Sequence, residues 1–414
     1  MSRDLIDSCV DWLGKIPSTW SMCRVKNRFK FHKKVVGNES EKYDRIALTL
    51  NGVIKRNKDD VDGLQPDDYT GYQIVYKNDL IFKLIDLENV STSRVGKSEY
   101  EGITSPAYII LTDNHDSRYS LYYFLNMWYQ EIFNNIGGDG VRSAINKDTL
   151  LKVPFIDMKI EEQRRIAKYL DEKCSKINEI ISDNNKEIEL INEYKKSLIN
   201  EISIKGFGEK KKTDIGYIDE VIKESKITKI KYILKNKNEK NHPDAEVLSL
   251  YREYGVVPKD SRDDNYNVTS ENTESYKYVE VGDLVVNKMK AWQGSLAVSD
   301  YEGIVSPAYY VCSFKKNINR RYIHYLLRSK SYSQEFERLS IGIRPGQWDL
   351  SNDNFMSIGV IVPSDEEQNK IVDYLDKQCS KLDEVINYRK QIIEKLEEYK
   401  RSLIYECVTG KREV

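Results

Sequence analysis

Two stretches of the chain carry a hydrophobic residue at steps of three and four. In the first these are Ile166, Leu170, Ile177, Ile181, Ile188, Ile191 and Leu198; in the second, Ile371, Leu375, Leu382, Ile386, Ile393, Leu396 and Leu403. That period puts the apolar positions on one face of an α-helix. Neither stretch contains proline, and glycine appears only at the exits, Gly206 and Gly410. Each therefore predicts a helix about 60 Å long at about 1.5 Å per residue. The apolar stripe is narrow and is broken by Lys173 and Asn184 in one copy and by Gln378 and Arg389 in the other. A seam between two helices fits such a stripe better than a globular interior. All the periodic positions except Ile191 and Leu396 form the expected seam.

Outside these helices the pattern changes to short alternating runs, such as RIALTL, YQIVY, DLIFKLI and AYIILT in the first half and AEVLSL, YVEVGDLVVNKM and AYYVCSF in the second. Period-two runs bounded by turn formers predict strands. A short helical run follows in each half, near Tyr119–Asn134 and Arg320–Phe336. The expected class is α+β: two related domains of mixed β-structure with short helices, separated by two long antiparallel coiled-coil helices. The expected boundaries are 1–156 for the first domain with an N-terminal arm over 1–23, and 157–206 for the first long helix. A linker and the second domain follow over 207–363, and the second long helix over 364–414.

The two halves are copies. Laid over each other at a constant offset of 205, Glu161–Ser182 and Glu366–Asn387 agree at 12 of 22 positions, with Cys174 over Cys379. Outside the helices the agreement is strongest at Tyr100–Tyr108 against Tyr301–Tyr309, where both read Tyr-Glu-Gly-Ile-x-Ser-Pro-Ala-Tyr. The loops differ. Two domains with one framework and different loop chemistry look like two readers of different things, and related helices pairing antiparallel would repeat one set of contacts about a pseudo-twofold axis.

Charge refines this reading. The formal net charge is -1, yet Arg24–Lys34 carries six Lys/Arg and no acid, and Lys223–Lys240 carries seven lysines against two glutamates. The two basic stretches fall over each other in the duplication. They supply candidates for phosphate contact: Lys26, Arg28, Lys30, Lys33 and Lys34 in the first half, and Lys229, Lys231, Lys235 and Lys237 in the second. A lysine-rich solvated face is the competing reading. Base readout prefers Arg, Lys, Asn and Gln beside rigid aromatic rings. Lys288, Lys290, Trp292 and Gln293 in one loop, with Arg344, Gln347 and Trp348 in another, form the best such cluster. Their counterparts in the first domain are Lys83, Ser91, Ser93, Arg94 and Arg142, with Lys55 and Arg56 nearby.

Catalytic chemistry finds little support. The six cysteines include no CxxC pair and the four histidines stand alone, so no metal site is expected. The two Ser-Pro-Ala-Tyr sequences resemble the Asn-Pro-Pro-Tyr type of motif of amino-methyltransferases but lack its amide, and no strand leads into a glycine-rich loop that could cradle a nucleotide. They are expected to be turns at strand ends. Asp219, Glu224 and Lys226 have the loose spacing of a nuclease site, in a charged linker where such triplets arise by chance. No apolar run has membrane-span length and the N-terminus lacks a signal-peptide core, so a cytoplasmic location is expected. The chain reads as a binder without an active site.

The order of these pieces resembles the specificity subunits of type I restriction-modification systems. Ile16-Pro-Ser-Thr-Trp20 precedes a basic segment; a Gly-x-Arg turn, a Val-Pro, a Glu-Glu-Gln and a long helix ending Tyr-Lys-x-Ser-Leu-Ile or its variant follow, and the arrangement comes twice. The resemblance implies two target-recognition domains, each reading half of a bipartite asymmetric double-stranded DNA site. It implies helices that set the spacer and dock two modification subunits, which bring S-adenosylmethionine and methylate adenine. Two restriction (translocase-nuclease) subunits, with ATP and Mg, join where restriction occurs; this chain itself would bind no cofactor. Arg142 and Arg344 fall at the Gly-x-Arg turns. Half-sites on one face of B-DNA lie roughly 34 to 36 Å apart per helical turn, and a heptad inserted in the rod adds about 10 Å, so a longer spacer with unchanged half-sites is the expectation. A coiled-coil adaptor whose domains bind proteins is the alternative.

Overall fold

The computed structural model describes the chain except residues 1–3, 58–67, 88–91, 137–143, 253, 262–272, 316 and 343–347. Two long helices dominate, Ile160–Lys205 and Asp365–Val408. The chain divides into two units, one of residues 1–184 with 391–414 and the other of residues 185–390. Each unit thus holds one α+β domain with the start of the helix that follows it and the end of the other helix.

Inside each unit the two helical segments run antiparallel. In the second unit Lys195 meets Asp383 at 2.6 Å and Glu187 meets Arg389, so the partner number rises as the first falls. In the first unit Lys400 donates to Asn178 Oδ1 at 2.9 Å. Ile166, Leu170, Cys174 and Ile177 pack there with Leu403, Ile404, Cys407 and Val408 in one buried cluster that also takes in the domain core. In the second unit Ile371, Leu375 and Cys379 share a cluster with Leu198 and Ile204. Of the other seam positions Ile386 is buried and Ile181, Ile188, Leu382 and Ile393 are half-buried. Each helix serves as a wall of its own domain near its start and as a seam partner further along, which explains why its stripe narrows.

Both helices start on the same device. Gln163 and Gln368, the glutamines of the two Glu-Glu-Gln sequences, are almost wholly buried. Gln163 Nε2 donates to the Met158 carbonyl and Gln368 Nε2 to the Pro363 carbonyl, each at 2.9 Å. Each therefore satisfies a carbonyl just ahead of the first turn. Ser364 Oγ also accepts the Glu367 N–H at 3.3 Å, the N-cap half of a capping box.

The domains share a sheet plan. In the first, the strand Phe29–His32 pairs with Ile109–Asp113, which pairs with Leu80–Phe82, which pairs with Val95–Lys97. In the second, Leu234–Lys237 pairs with Tyr309–Phe314, then Leu284–Asn287, then Leu296–Val298. All these pairings are antiparallel. The Ser-Pro-Ala-Tyr sequences are the turns between the strands Gly102–Thr104 and Ile109–Asp113, and between Gly303–Val305 and Tyr309–Phe314; the Tyr108 N–H closes on the Ser105 carbonyl and the Tyr309 N–H on Ser306. The N-terminal arm is packed: Leu13, Ile16 and Trp20 join the first unit's core beside Leu403, Ile404 and Cys407. Gly410, at φ 72°, turns the chain out of the second helix where a Cβ would strike Pro17 and Trp20. Among the described residues no helix is long and apolar enough to cross a membrane.

Candidate nucleic-acid interface

The basic stretches fold into edge strands. Phe29–His32 and Leu234–Lys237 each lie at the end of a four-stranded sheet. Because side chains alternate along a strand, Phe29 and Leu234 point into the core while Lys30 and Lys235 face solvent. Lys26, Lys33, Lys34, Lys229 and Lys231 are also exposed, and Lys34 Nζ reaches the Tyr76 hydroxyl at 3.2 Å. Lysines on an edge strand discourage pairing with another sheet, so their exposure serves the fold as well as any phosphate.

Two phosphate candidates are corrected. Arg28 is 5% exposed, and its guanidinium meets Asp113 at 3.0 Å and Gln163 Oε1 at 2.7 Å, above the Phe155 ring. It anchors the sheet to the helix start and has no surface to offer a phosphate. The duplication held the signal: Arg28 lies over Ile233, a core residue of the second domain. Lys237 is half-buried among Glu280 at 2.9 Å, Asp283 at 3.2 Å and Glu239 at 3.7 Å. Three carboxylates outbid a phosphate there. Its counterpart His32 likewise meets Asp79, at 2.9 Å, and Asp79 and Asp283 each accept a turn N–H, from Tyr76 and from Glu280.

Two base-readout candidates of the first domain are corrected as well. Arg94 is 1% exposed, with Nη2 donating to the carbonyls of Asp86 and Leu87 at 2.9 and 2.8 Å. Ser93 is buried and donates to the Val95 carbonyl. Both pin the loop that leaves the strand Leu80–Phe82. Lys83 is half-buried on Thr92 Oγ1 at 2.9 Å; burial, then the Arg94 charge, lowers its pKa. Lys55 pairs with Asp44 at 2.6 Å, and Arg56 is half-buried on the same hairpin strand. Ser91, Arg142, Arg344 and Gln347 lie outside the described residues.

The second domain assembles its cluster. The strand Leu284–Asn287 leads into a 3-10 turn, Ala291–Gln293, and Gly294 leaves it at φ 79°. The Leu350 N–H donates to the Lys288 carbonyl at 3.0 Å, which docks the two candidate loops on each other. Trp292 and Trp348 come together with ring centroids 4.9 Å apart. Lys288 meets Asp349 at 2.9 Å, and that hydrogen bond raises its pKa. Lys290 is exposed, and Gln293 Oε1 accepts from Arg252 at 2.6 Å. Sequence reasoning missed Arg252, which a hairpin elsewhere in the domain delivers. The surface mixes fixed aromatic rings, cations and an amide, the chemistry that base edges require. Among the described residues no group of three His, Cys, Asp or Glu is placed to hold a metal.

Residues 209–398 match the family model of the type I restriction modification DNA specificity domain. In this match and in the relatives below, the chain is similar to type I specificity subunits. The MjaVIII specificity subunit of Methanocaldococcus jannaschii is 26% identical over 82% of this chain and 80% of its own length. The putative MjaX specificity subunit of the same organism is 24% identical over 96% of this chain and 95% of its own. A chain solved in work on complex assembly and conformational transition of the type I restriction-modification system shares the fold. Its TM-score is 0.68 at 10% identity, covering 96% of this chain and 99% of that one. The chain is thus built as an α+β duplication with two long helices, as its sequence pattern predicts.

Proposed function

We propose that the two domains, within 1–156 and 207–363, each read one half of a bipartite, asymmetric double-stranded DNA site. The carrying observation is the duplication itself: one sheet plan occurs twice, while its loops turn Arg94 inward in the first domain and gather Lys288, Trp292, Gln293 and Trp348 in the second. A shared framework with distinct surfaces suits two independent readers. The helices set the spacer and dock two modification subunits. Their outer positions support this, since Ile180 and Tyr399 in the first unit and Leu190, Tyr194, Val385 and Tyr388 in the second are exposed and apolar or aromatic. In this reading the chain has no catalytic role and binds no cofactor. S-adenosylmethionine belongs to the modification subunit, ATP and Mg to restriction subunits where they join, and the complex works in the cytoplasm.

The experiment is co-expression with a modification subunit in a methylation-free host, followed by mapping of modified adenines. A split motif with a fixed run of unspecified bases is expected, and exchanging residues 24–155 for those of a relative should change one half only. A continuous motif would contradict independent reading, and a soluble complex without methylation would favour the protein-binding adaptor.

A further inference from the structure

Arg252 is held at both ends while remaining exposed. It is the first residue of the turn that joins the strands Leu248–Tyr251 and Gly255–Pro258. Its guanidinium donates through Nη2 to Gln293 Oε1 at 2.6 Å. Its own carbonyl accepts from Arg328 Nη2, and Arg328 Nη1 donates to the Leu296 carbonyl at 2.9 Å. Arg328 sits at the end of the helix Arg320–Arg328, so it ties the hairpin turn and a sheet strand to one rigid element. Trp292, next to Gln293, is braced by Trp348, and Tyr254 and Met289 are exposed nearby in the same turn and loop.

We propose that Arg252, steadied by Gln293, reads a guanine in the half-site of the second domain, and that Arg328 is its positioning residue. The inference rests on the reading above that this domain binds DNA. Arginine is the side chain whose paired N–H groups match guanine O6 and N7 across the major groove. A long side chain loses rotamer freedom when it binds, and one placed beforehand loses less. Gln293 does the placing with a neutral oxygen. A carboxylate in its position would cancel the cation, whereas the amide occupies one N–H and leaves the charge for DNA. A phosphate contact needs no such brace, because phosphates accept from many directions and carry no sequence information.

The first domain supplies the contrast. Its corresponding hairpin joins Arg45–Thr49 to Gly52–Arg56 through Leu50 and Asn51. Leu50 is 55% exposed, and no arginine stands at that turn. The two domains therefore present different chemistry from the same place on one framework.

The test maps adenine methylation by the complex in a methylation-free host, comparing wild type with Arg252→Ala, Arg252→Lys, Gln293→Ala and Arg328→Lys. With Arg252→Ala the first half-site stays intact, and one G·C position of the second relaxes, its preference falling roughly 10- to 100-fold. Gln293→Ala and Arg328→Lys relax the same position by less, and Arg252→Lys retains part of it. An unchanged motif overturns the proposal. A uniform loss of methylation with the motif preserved also overturns it, because Arg252 would then be a phosphate contact and Arg328 only a stabiliser. Failure of the underlying reading shows separately, as a wild-type complex with no split motif.

Discussion

Arg28 and Asp113 meet at 3.0 Å with 3% and 0% of their side chains exposed, which makes them a buried ion pair in a stretch whose lysines face water. Asp113 also bonds Ser120, and Arg28 bonds Gln163 at the start of the first long helix. Removing one partner of such a pair strands the other charge, at a cost of about 3–5 kcal/mol. Arg28→Ala should therefore lower the stability of the first unit by about that amount. Arg28→Met, which fills the space but also leaves Asp113 unpaired, should not rescue it, whereas Arg28→Met with Asp113→Leu should recover much of the loss. Urea midpoints decide this; a midpoint unmoved by Arg28→Ala would return the residue to the surface.

The exposed lysines of the edge strands carry the opposite expectation. Lys30→Gln and Lys235→Gln should leave the urea midpoint in place and weaken DNA binding equally for specific and unrelated duplexes. Each should reduce the slope of log affinity against log salt by about 1 if it contacts a phosphate. Titrations of labelled duplex at several salt concentrations provide the check. Slopes that match wild type would make these lysines guards of the sheet edge alone.

His324 gives the second unit a dependence on acid. Burial, reinforced by the charges of Arg328 and Arg321, pushes its pKa down from 6.5 to about 3. Its Nδ1 accepts the Val298 N–H at 3.3 Å, which the neutral ring can do. The unfolded chain takes up this proton near 6.5 and the folded chain only near 3. The stability present above the higher value is therefore lost progressively as pH falls through that window. The ring is half-buried, and residual hydration moderates the loss. In His324→Gln the fall in urea midpoint between about pH 7 and about pH 4.5 should be shallower than in wild type; parallel curves would rule the histidine out as its source.

The outer helix positions separate folding from assembly. Leu375 is fully buried, and Leu375→Ala should cost about 2–5 kcal/mol. Tyr388 is 65% exposed and Leu190 63% exposed, so Leu190→Ser with Tyr388→Ser should keep the unfolding free energy within about 0.5 kcal/mol of wild type. The same double variant should reduce capture of the modification subunit. Full capture would place docking elsewhere.

What the sequence determined by itself was whatever depends on local periodicity and on the duplication. The three- and four-residue steps gave the long helices, alternation gave the strands, and the offset of 205 gave two related domains. Tertiary structure decided which charged residues face water, though the duplication, by setting Arg28 over the core residue Ile233, already marked one of them. Arg28, Lys237 and Arg94 read like their exposed neighbours because a one-dimensional pattern records charge and leaves out the partners Asp113, Asp283 and the Leu87 carbonyl. Arg252 and Gln293 are 41 positions apart and become one unit only when the hairpin is folded beside the turn. A buried cation is stable where acceptors converge on it, and convergence is a property of three dimensions.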